Sequence, residues 1–251
     1  MNEVTLVIPM AGSGRRFREA GFALPKPLIR ILGRPMIEWV LESIAWPEAR
    51  VVLIAQRADV AADPEAVAAV ERRWPVTWVL LDGQTEGTAC TVLAAAEAIP
   101  PDRPMLMTIS DACIAGGVET MLEDAAARDL DGSLSVFPDW GDPKLSFARL
   151  GDDGLVAEVA EKRPISTLAS AGQYYIRRPA QFFDGVRQMM AAGDRVNGEF
   201  YTCPVYNYLI RGGARIGAFE IPASALWALN TPDDLDLFLR RLDEHGGEVR
   251  P

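Results

Sequence analysis

The residue types best suited to chemistry on phosphates are concentrated in Met10-Ala-Gly-Ser-Gly-Arg-Arg-Phe17 and Leu24-Pro-Lys-Pro-Leu28. Gly12 and Gly14 lack the Cβ atoms that keep a backbone away from a phosphate chain, so N–H groups there can point at oxygens. Arg15, Arg16, Arg18 and Lys26 add fixed positive charge beside them. Pro25 and Pro27 predict an extended, stiff segment around Lys26, with little freedom left to lose. Glycine backbone with clustered cations describes a polyphosphate site. The pattern is not a P-loop, because no Gly-Lys-Ser/Thr closes it. Nor is it a full G-x-G-x-x-G, because Phe17 stands where the third glycine is needed. By itself the Gly-x-Gly fits a structural turn equally well; the flanking Pro-Lys-Pro is what favours phosphate chemistry.

The elements that must position these residues follow from hydrophobic pattern. Val4-Thr-Leu-Val-Ile-Pro9 predicts a buried strand whose C-terminal edge carries the glycine loop. A helical pattern runs from Pro35 to about Ile44. Residues 50–55 predict a second strand, 63–73 an Ala-rich helix and 76–81 a third strand. After the Gly83–Gly87 loop, Thr88 to Ala98 predicts a helix, and residues 104–109 a fourth strand leading to Asp111. This rhythm calls for a parallel sheet with helices on both faces, which binds ligands beyond the carboxyl ends of its strands.

From about residue 130 strand-like pieces crowd together at 133–137, 145–150, 155–159 and 172–176, with Gly151-Asp-Asp-Gly154 as a hairpin turn. Helices are predicted at 179–191 and 201–211, and a strand at 214–221. A last helix runs from Pro232 to about Leu242, with Thr231 as N-cap. No repeat or linker interrupts the chain, which reads as one domain over residues 1–251.

Composition narrows the chemistry. A net charge of −10 argues against nucleic acid as partner. Yet residues 1–34 hold six basic side chains against two acidic ones, +4, so the remainder carries −14. The glycine loop thus sits in a local inversion of sign. Lys26, Lys144 and Lys162 are the only three lysines among 25 basic residues. The single histidine, His245, falls near the C-terminus in a polar tail, which removes serine-type triads and histidine-based acid–base catalysis. Cys90, Cys113 and Cys203 are scattered without C-x-x-C spacing, as expected for buried thiols in a reducing cytoplasm. No run of 18 apolar residues predicts a membrane span, and no signal peptide is expected.

Pro9–Phe17, with Pro25-Lys-Pro-Leu-Ile29 and Gly33-Arg-Pro-Met-Ile-Glu-Trp39, resembles the sugar-1-phosphate nucleotidylyltransferase family. The likeness continues through Gly83-Gln-Thr-Glu-Gly-Thr-Ala89, Ser110-Asp111, Glu161-Lys162 and Thr231-Pro-Asp-Asp-Leu235, nearly the whole chain. It is strongest to the short bacterial members of capsule and surface-polysaccharide biosynthesis, some of which activate phosphates that are not sugars. The resemblance implies a three-layer, mostly parallel α/β sheet, Rossmann-like and glycosyltransferase-A-like. It also implies a nucleotide-binding half to about residue 115 and an acceptor-binding half from about residue 116. The reaction would couple an NTP to a sugar-1-phosphate or similar acceptor, releasing pyrophosphate. Both reactants are anions, so positioning and charge neutralisation supply most of the rate, and no histidine base is needed.

By the same resemblance Arg16 and the backbone of Ala11, Gly12, Ser13 and Gly14 serve the β- and γ-phosphates, and Lys26 the α-phosphate. Gln84 reads a base edge, with Gly87 and Thr88 beneath the base; alone, that loop would pass as a helix cap. Asp111 is the expected Mg²⁺ ligand, or else a turn or cap aspartate. Ala228 stands where relatives often carry a second metal-binding acid, and Asn230 where they carry glycine, so Glu199 is the substitute ligand considered. Lys162 is expected at the acceptor phosphate and Glu161 at acceptor hydroxyls, with Gly172 presenting backbone. Gln173 replaces an expected apolar residue, which points to an unusual acceptor. Lys144, Tyr201 and Asn207 complete the acceptor-side candidates.

Three readings compete: the nucleotidylyltransferase, a glycosyltransferase of the same architecture, and a non-catalytic nucleotide-binding regulatory domain. Asp111-Ala-Cys113 lacks the second acid of a glycosyltransferase Asp-x-Asp, while Ala228, in place of an acid, keeps the regulatory domain open. The base remains open among CTP, UTP, dTTP and GTP, with a lean to CTP. A cytoplasmic protein with no nucleic-acid or membrane partner, its homodimer left as an open alternative, completes the expectation.

Overall fold

The computed structural model describes residues 4–44, 49–116 and 118–249. The first half runs β1 (Thr5–Pro9), α1 (Arg15–Glu19), β2 (Arg30–Ile31), β3 (Arg34–Pro35), α2 (Met36–Ile44), β4 (Arg50–Gln56), α3 (Arg57–Ala62), α4 (Pro64–Arg73), β5 (Val76–Leu81), α5 (Thr88–Ala94), β6 (Met105–Thr108) and β7 (Ala112–Ile114). The second continues with α6 (Val118–Ala127), β8 (Gly132–Pro138), β9 (Ser146–Leu150), β10 (Val156–Glu161), β11 (Leu168–Ile176), α7 (Pro179–Ala192), α8 (Val205–Arg211), β12 (Ile216–Glu220), β13 (Leu226–Ala228) and α9 (Pro232–Glu244).

Successive strand residues point to opposite faces, and the apolar runs of β1 and β4 are therefore covered on both sides. Leu6, Ile8, Val51 and Leu53 pack with Met36, Val70, Met121 and Phe238, from α2, α4, α6 and α9. Val7, Val52 and Ile54 pack the other way, with Val92, Phe182 and Val205 from α5, α7 and α8. These are the three layers expected of the α/β fold.

A nine-stranded sheet is ordered β10-β9-β11-β6-β1-β4-β5, with β8 paired to β11 and β12. β6, β1, β4 and β5 are mutually parallel, as the strand–helix rhythm predicts. β11 then joins β6 antiparallel, with Gln173 opposite Thr108 and Ile176 opposite Met105. β9 and β10 form the antiparallel hairpin that Gly151–Gly154 predicts, closed by Gly151 N–H to the Leu155 carbonyl at 2.8 Å. A second, two-stranded sheet sets Ala228 of β13 opposite Ala112 of β7, which brings the C-terminal segment beside Asp111.

Several local expectations give way. Lys26 is not extended: Lys26–Leu28 forms a 3-10 turn, with Leu28 N–H to Pro25 O at 2.8 Å and Ile29 N–H to Lys26 O at 3.2 Å. Only Pro25 keeps the extended backbone that the proline pair predicts. The helix from Thr88 ends at Ala94 and yields to a 3-10 turn at Ala96–Ala98. The helix expected from residue 201 starts at Val205, because Pro204 supplies its N-cap and the preceding residues stay irregular. His245 does not trail in a polar tail: it is the C-cap of α9, and its ring centroid lies 5.2 Å from that of Trp227. The Thr231 cap is as expected, with Asp234 N–H to Thr231 Oγ1 at 3.1 Å. No described helix is long and apolar enough to cross a membrane.

Candidate active site

The loop leaving β1 and the turn leaving β6 open on the same side, at the carboxyl ends of two adjacent parallel strands. Between them lies a cleft of about 450 Å³ lined by Gly12, Ser13, Gly14, Arg15, Arg16, Lys26, Thr88 and Asp111. Met10 N–H bonds to Ile54 O at 2.8 Å, and Gln56 Nε2 donates to the Ala11 carbonyl at 2.8 Å, so the start of the loop is anchored to β4. Gly14 takes φ 59° and ψ 25° before α1, a left-handed conformation that favours glycine. A Cβ there would meet the Lys26 Cβ at 3.1 Å. The glycine is therefore what lets the lysine turn pack under the loop.

Lys26 Nζ donates to Asp111 Oδ2 at 2.8 Å, and lies 5.5 Å from the Phe17 ring centroid. The ammonium is thus held from two sides, with its carboxylate partner on the cleft wall. Arg16 lines the cleft and makes no side-chain hydrogen bond or ion pair with another described residue. Arg15 instead pairs with Glu19, Nε to Oε1 at 3.2 Å, one helical turn away.

The cleft continues into a wider space of about 1110 Å³, sharing Arg16, Thr88, Asp111 and Asn230 with the first. Its walls carry Lys144, Glu161, Lys162, Gly172 and Tyr201, five of the acceptor-side candidates. Lys162 directly follows β10 at φ 54°; its ammonium bonds to the Tyr201 hydroxyl and lies 4.2 Å from that ring's centroid. Glu161 accepts a hydrogen bond from the Ser146 hydroxyl. Burial pushes the Glu161 carboxyl above its ordinary value of 4.5, against the opposing pull of Ser146 and Lys162. Burial likewise raises the Tyr201 phenol, opposed by the bond from Lys162 and reinforced by Glu199. Gly172 sits in the β11 bulge at φ 82°, where a Cβ would come within 2.7 Å of the Ile109 Cδ1.

Other candidates lie elsewhere. Gln84 is exposed and lines neither part of the cleft. Ala11 is buried behind the loop, and Gly87 is packed against Phe200. Glu199 lies exposed in the turn bridged by Val196 and Glu199, beside Tyr201 and not along the wall that Asp111 lines. Asn207 is spent on structure: its Nδ2 donates to Val159 O at 2.8 Å and its Oδ1 accepts from Val159 N–H at 2.9 Å. Gln173 points under the sheet, where its Oε1 accepts from Ser135 Oγ at 3.0 Å, so it bears on the core and not on the acceptor. Cys113 is buried, and burial pushes its thiol up to about 12, which leaves it inert.

Sequence reasoning missed Asn230, Asp233 and Asp234, which line the cleft from the start of α9. Leu229 N–H bonds to the Asp111 carbonyl at 2.7 Å, which fixes this segment against the β6–β7 turn. The signal was present in Thr231-Pro-Asp-Asp-Leu235, which the sequence reading takes as a family motif and a helix start without giving its acids a place in the site.

A family model for nucleotidyl transferases matches residues 6–187. Among solved structures, the nucleoside-diphosphate-sugar pyrophosphorylase from Vibrio cholerae RC9 is 27% identical with a TM-score of 0.83, over 94% of this chain and 100% of that one. UDP-glucose pyrophosphorylase complexed with UDP-glucose shares the fold at 14% identity and a TM-score of 0.79, over 97% of this chain and 99% of that one. So does a Bacillus anthracis protein described as a glucose-1-phosphate thymidylyltransferase, at 16% identity and a TM-score of 0.75, over 99% of this chain and 97% of that one. No curated protein sequence matches the chain. The match spans β1 to α7, taking in the glycine loop, Lys26, Asp111 and Lys162, and on that evidence the chain is an enzyme of the nucleotidyl transferase family.

Proposed function

We propose that this enzyme joins an NTP to the phosphate of a small acceptor, a sugar-1-phosphate foremost, and releases pyrophosphate. The observation that carries the reading is continuity. The glycine loop with Arg16 and Lys26 opens into the same cleft that Glu161, Lys162 and Gly172 line further along. An acceptor phosphate oxygen forms a bond to the α-phosphorus while that phosphorus loses its bond to the β-bridging oxygen. The electron pair departs with pyrophosphate, and no proton has to move. Loop N–H groups and Arg16 hold the β- and γ-phosphates. Lys26 faces the α-phosphate as a point charge, and Lys162 holds the acceptor.

The donor set fits magnesium bound together with the nucleotide. Among the described residues no group of three or more His, Cys, Asp or Glu could hold a metal by itself. Mg²⁺ commonly takes one or two carboxylates with phosphate oxygens and water, so Asp111 suffices as the protein's anchor. Asp233, on the wider part of the cleft, is a better-placed second carboxylate than Glu199. When bound, the ion neutralises phosphate charge.

The test is pyrophosphate release from CTP, UTP, dTTP and GTP, each with a panel of sugar-1-phosphates and other small phosphates. CTP is the first nucleotide to try, from the likeness to the short capsule enzymes. Release that needs both substrates is the expected result. Nucleotide binding with no turnover in any combination would instead support a regulatory domain, the reading that Ala228 on the cleft wall, in place of an acid, keeps open.

A further inference from the structure

The approach of Gly87 to Phe200 assigns a job to residues outside the cleft. Gly87 lines neither part of it. Its φ is 132°, and a Cβ there would lie 2.4 Å from Phe200 O and 2.6 Å from Phe200 N. Phe200 N–H bonds to Glu86 O at 2.8 Å, and Ala89 N–H to Phe200 O at 3.0 Å, so the Phe200 backbone is laced into the start of α5. Arg195 completes the fastening: it pairs with Glu86, donates to Gly198 O at 2.9 Å, and stacks 4.0 Å from the Phe200 ring centroid. The next residue, Tyr201, holds the Lys162 ammonium through its hydroxyl and its ring face.

We propose that Glu86, Gly87 and Arg195 are positioning residues for the acceptor end. They fasten the 195–201 turn to the 83–88 loop, so that Tyr201 keeps the Lys162 ammonium directed into the cleft. The inference rests on the proposed role of Lys162 at the acceptor phosphate. The Arg195–Glu86 pair is exposed on both sides, and such pairs add little to global stability. Its loss therefore loosens one turn and leaves the fold standing.

The experiment measures steady-state pyrophosphate release with each substrate varied in turn, for the wild type, Arg195→Ala, Arg195→Lys and the double variant Glu86→Ala/Arg195→Ala. Arg195→Ala is expected to raise the acceptor KM about fivefold, while the NTP KM and kcat stay within about twofold. Arg195→Lys, which keeps the charge, should fall between Arg195→Ala and wild type. The double variant should be no worse than Arg195→Ala, since both break one contact. An unchanged acceptor KM in Arg195→Ala overturns the inference. So does a parallel rise in both KM values with a lowered Tm, because general loosening would then account for it. A wild type without turnover on any substrate pair defeats the functional reading itself; a working wild type with indifferent variants defeats only the fastening.

Discussion

Lys26 and Asp111 neutralise each other across the cleft mouth, at 2.8 Å, in a chain whose other charges are largely surface pairs. On the proposed reading, an incoming triphosphate offers Lys26 a richer set of anionic oxygens and leaves Asp111 to a metal bound with it. Lys26→Ala should therefore lower kcat/KM by about 10²–10³, the scale of losing one pre-organised electrostatic contact, with the circular dichroism spectrum unchanged. Near-normal turnover in that variant would remove Lys26 from the reaction. Glu161 makes the opposite trade. Its carboxyl titrates above 4.5 in the fold because it is buried, so the native protein holds that proton more tightly than the unfolded chain. The stability this contributes is complete below 4.5 and is lost as pH rises through the elevated folded value. Above that value the charged carboxylate, held in a buried place, counts against the fold. Glu161→Gln should raise Tm at neutral pH, lose that advantage in acid, and raise the acceptor KM. A Tm lowered equally at both pH values would show that the bond from Ser146 outweighs burial.

At the scale of elements, α9 is where a cap and the cleft wall coincide. Thr231 Oγ1 accepts from Asp234 N–H, and Asp234 Oδ2 accepts from Asn230 N–H at 3.0 Å, a reciprocal pair that fixes the Asn230–Asp234 turn. Thr231→Ala should cost about 1 kcal/mol in denaturant unfolding, with turnover reduced further because Asn230 and Asp233 line the cleft. That cap was readable in the sequence because it is local: Thr, Pro and two acids within four positions. So were β1, the β9–β10 hairpin and the parallel order implied by strand–helix alternation. The pairings that finish the site were not. Ala228 meets Ala112, and Gly87 meets Phe200, across more than a hundred residues, and neither β7 nor β13 is long enough to show a period-2 pattern. Gln84 rests on the family motif and Glu199 on the need for a substitute acid, and the structure leaves both off the cleft wall. Lys26 beside Asp111, by contrast, follows from two motifs at the ends of adjacent parallel strands.

At the scale of the whole molecule, β11 decides whether the two halves are separable. Its residues 173–176 pair with β6 of the first half while 168–170 and 174–176 pair with β8 of the second. No sheet edge is left between the halves, and the packing on one face combines Met107 of β6 with Leu134, Tyr174 and Phe182. The α5 start is also fastened to Phe200, Leu229 to Asp111, and β13 to β7, so the halves are joined at several points. We expect one cooperative domain. Calorimetry should show a single transition with equal calorimetric and van't Hoff enthalpies, and saturating NTP should shift that transition whole. Chains cut near residue 115 should leave the first half with β6 exposed as an apolar edge, prone to aggregate and unable to bind nucleotide. A first half that folds alone and binds NTP with undiminished affinity would show that the β6–β11 seam is a junction between domains.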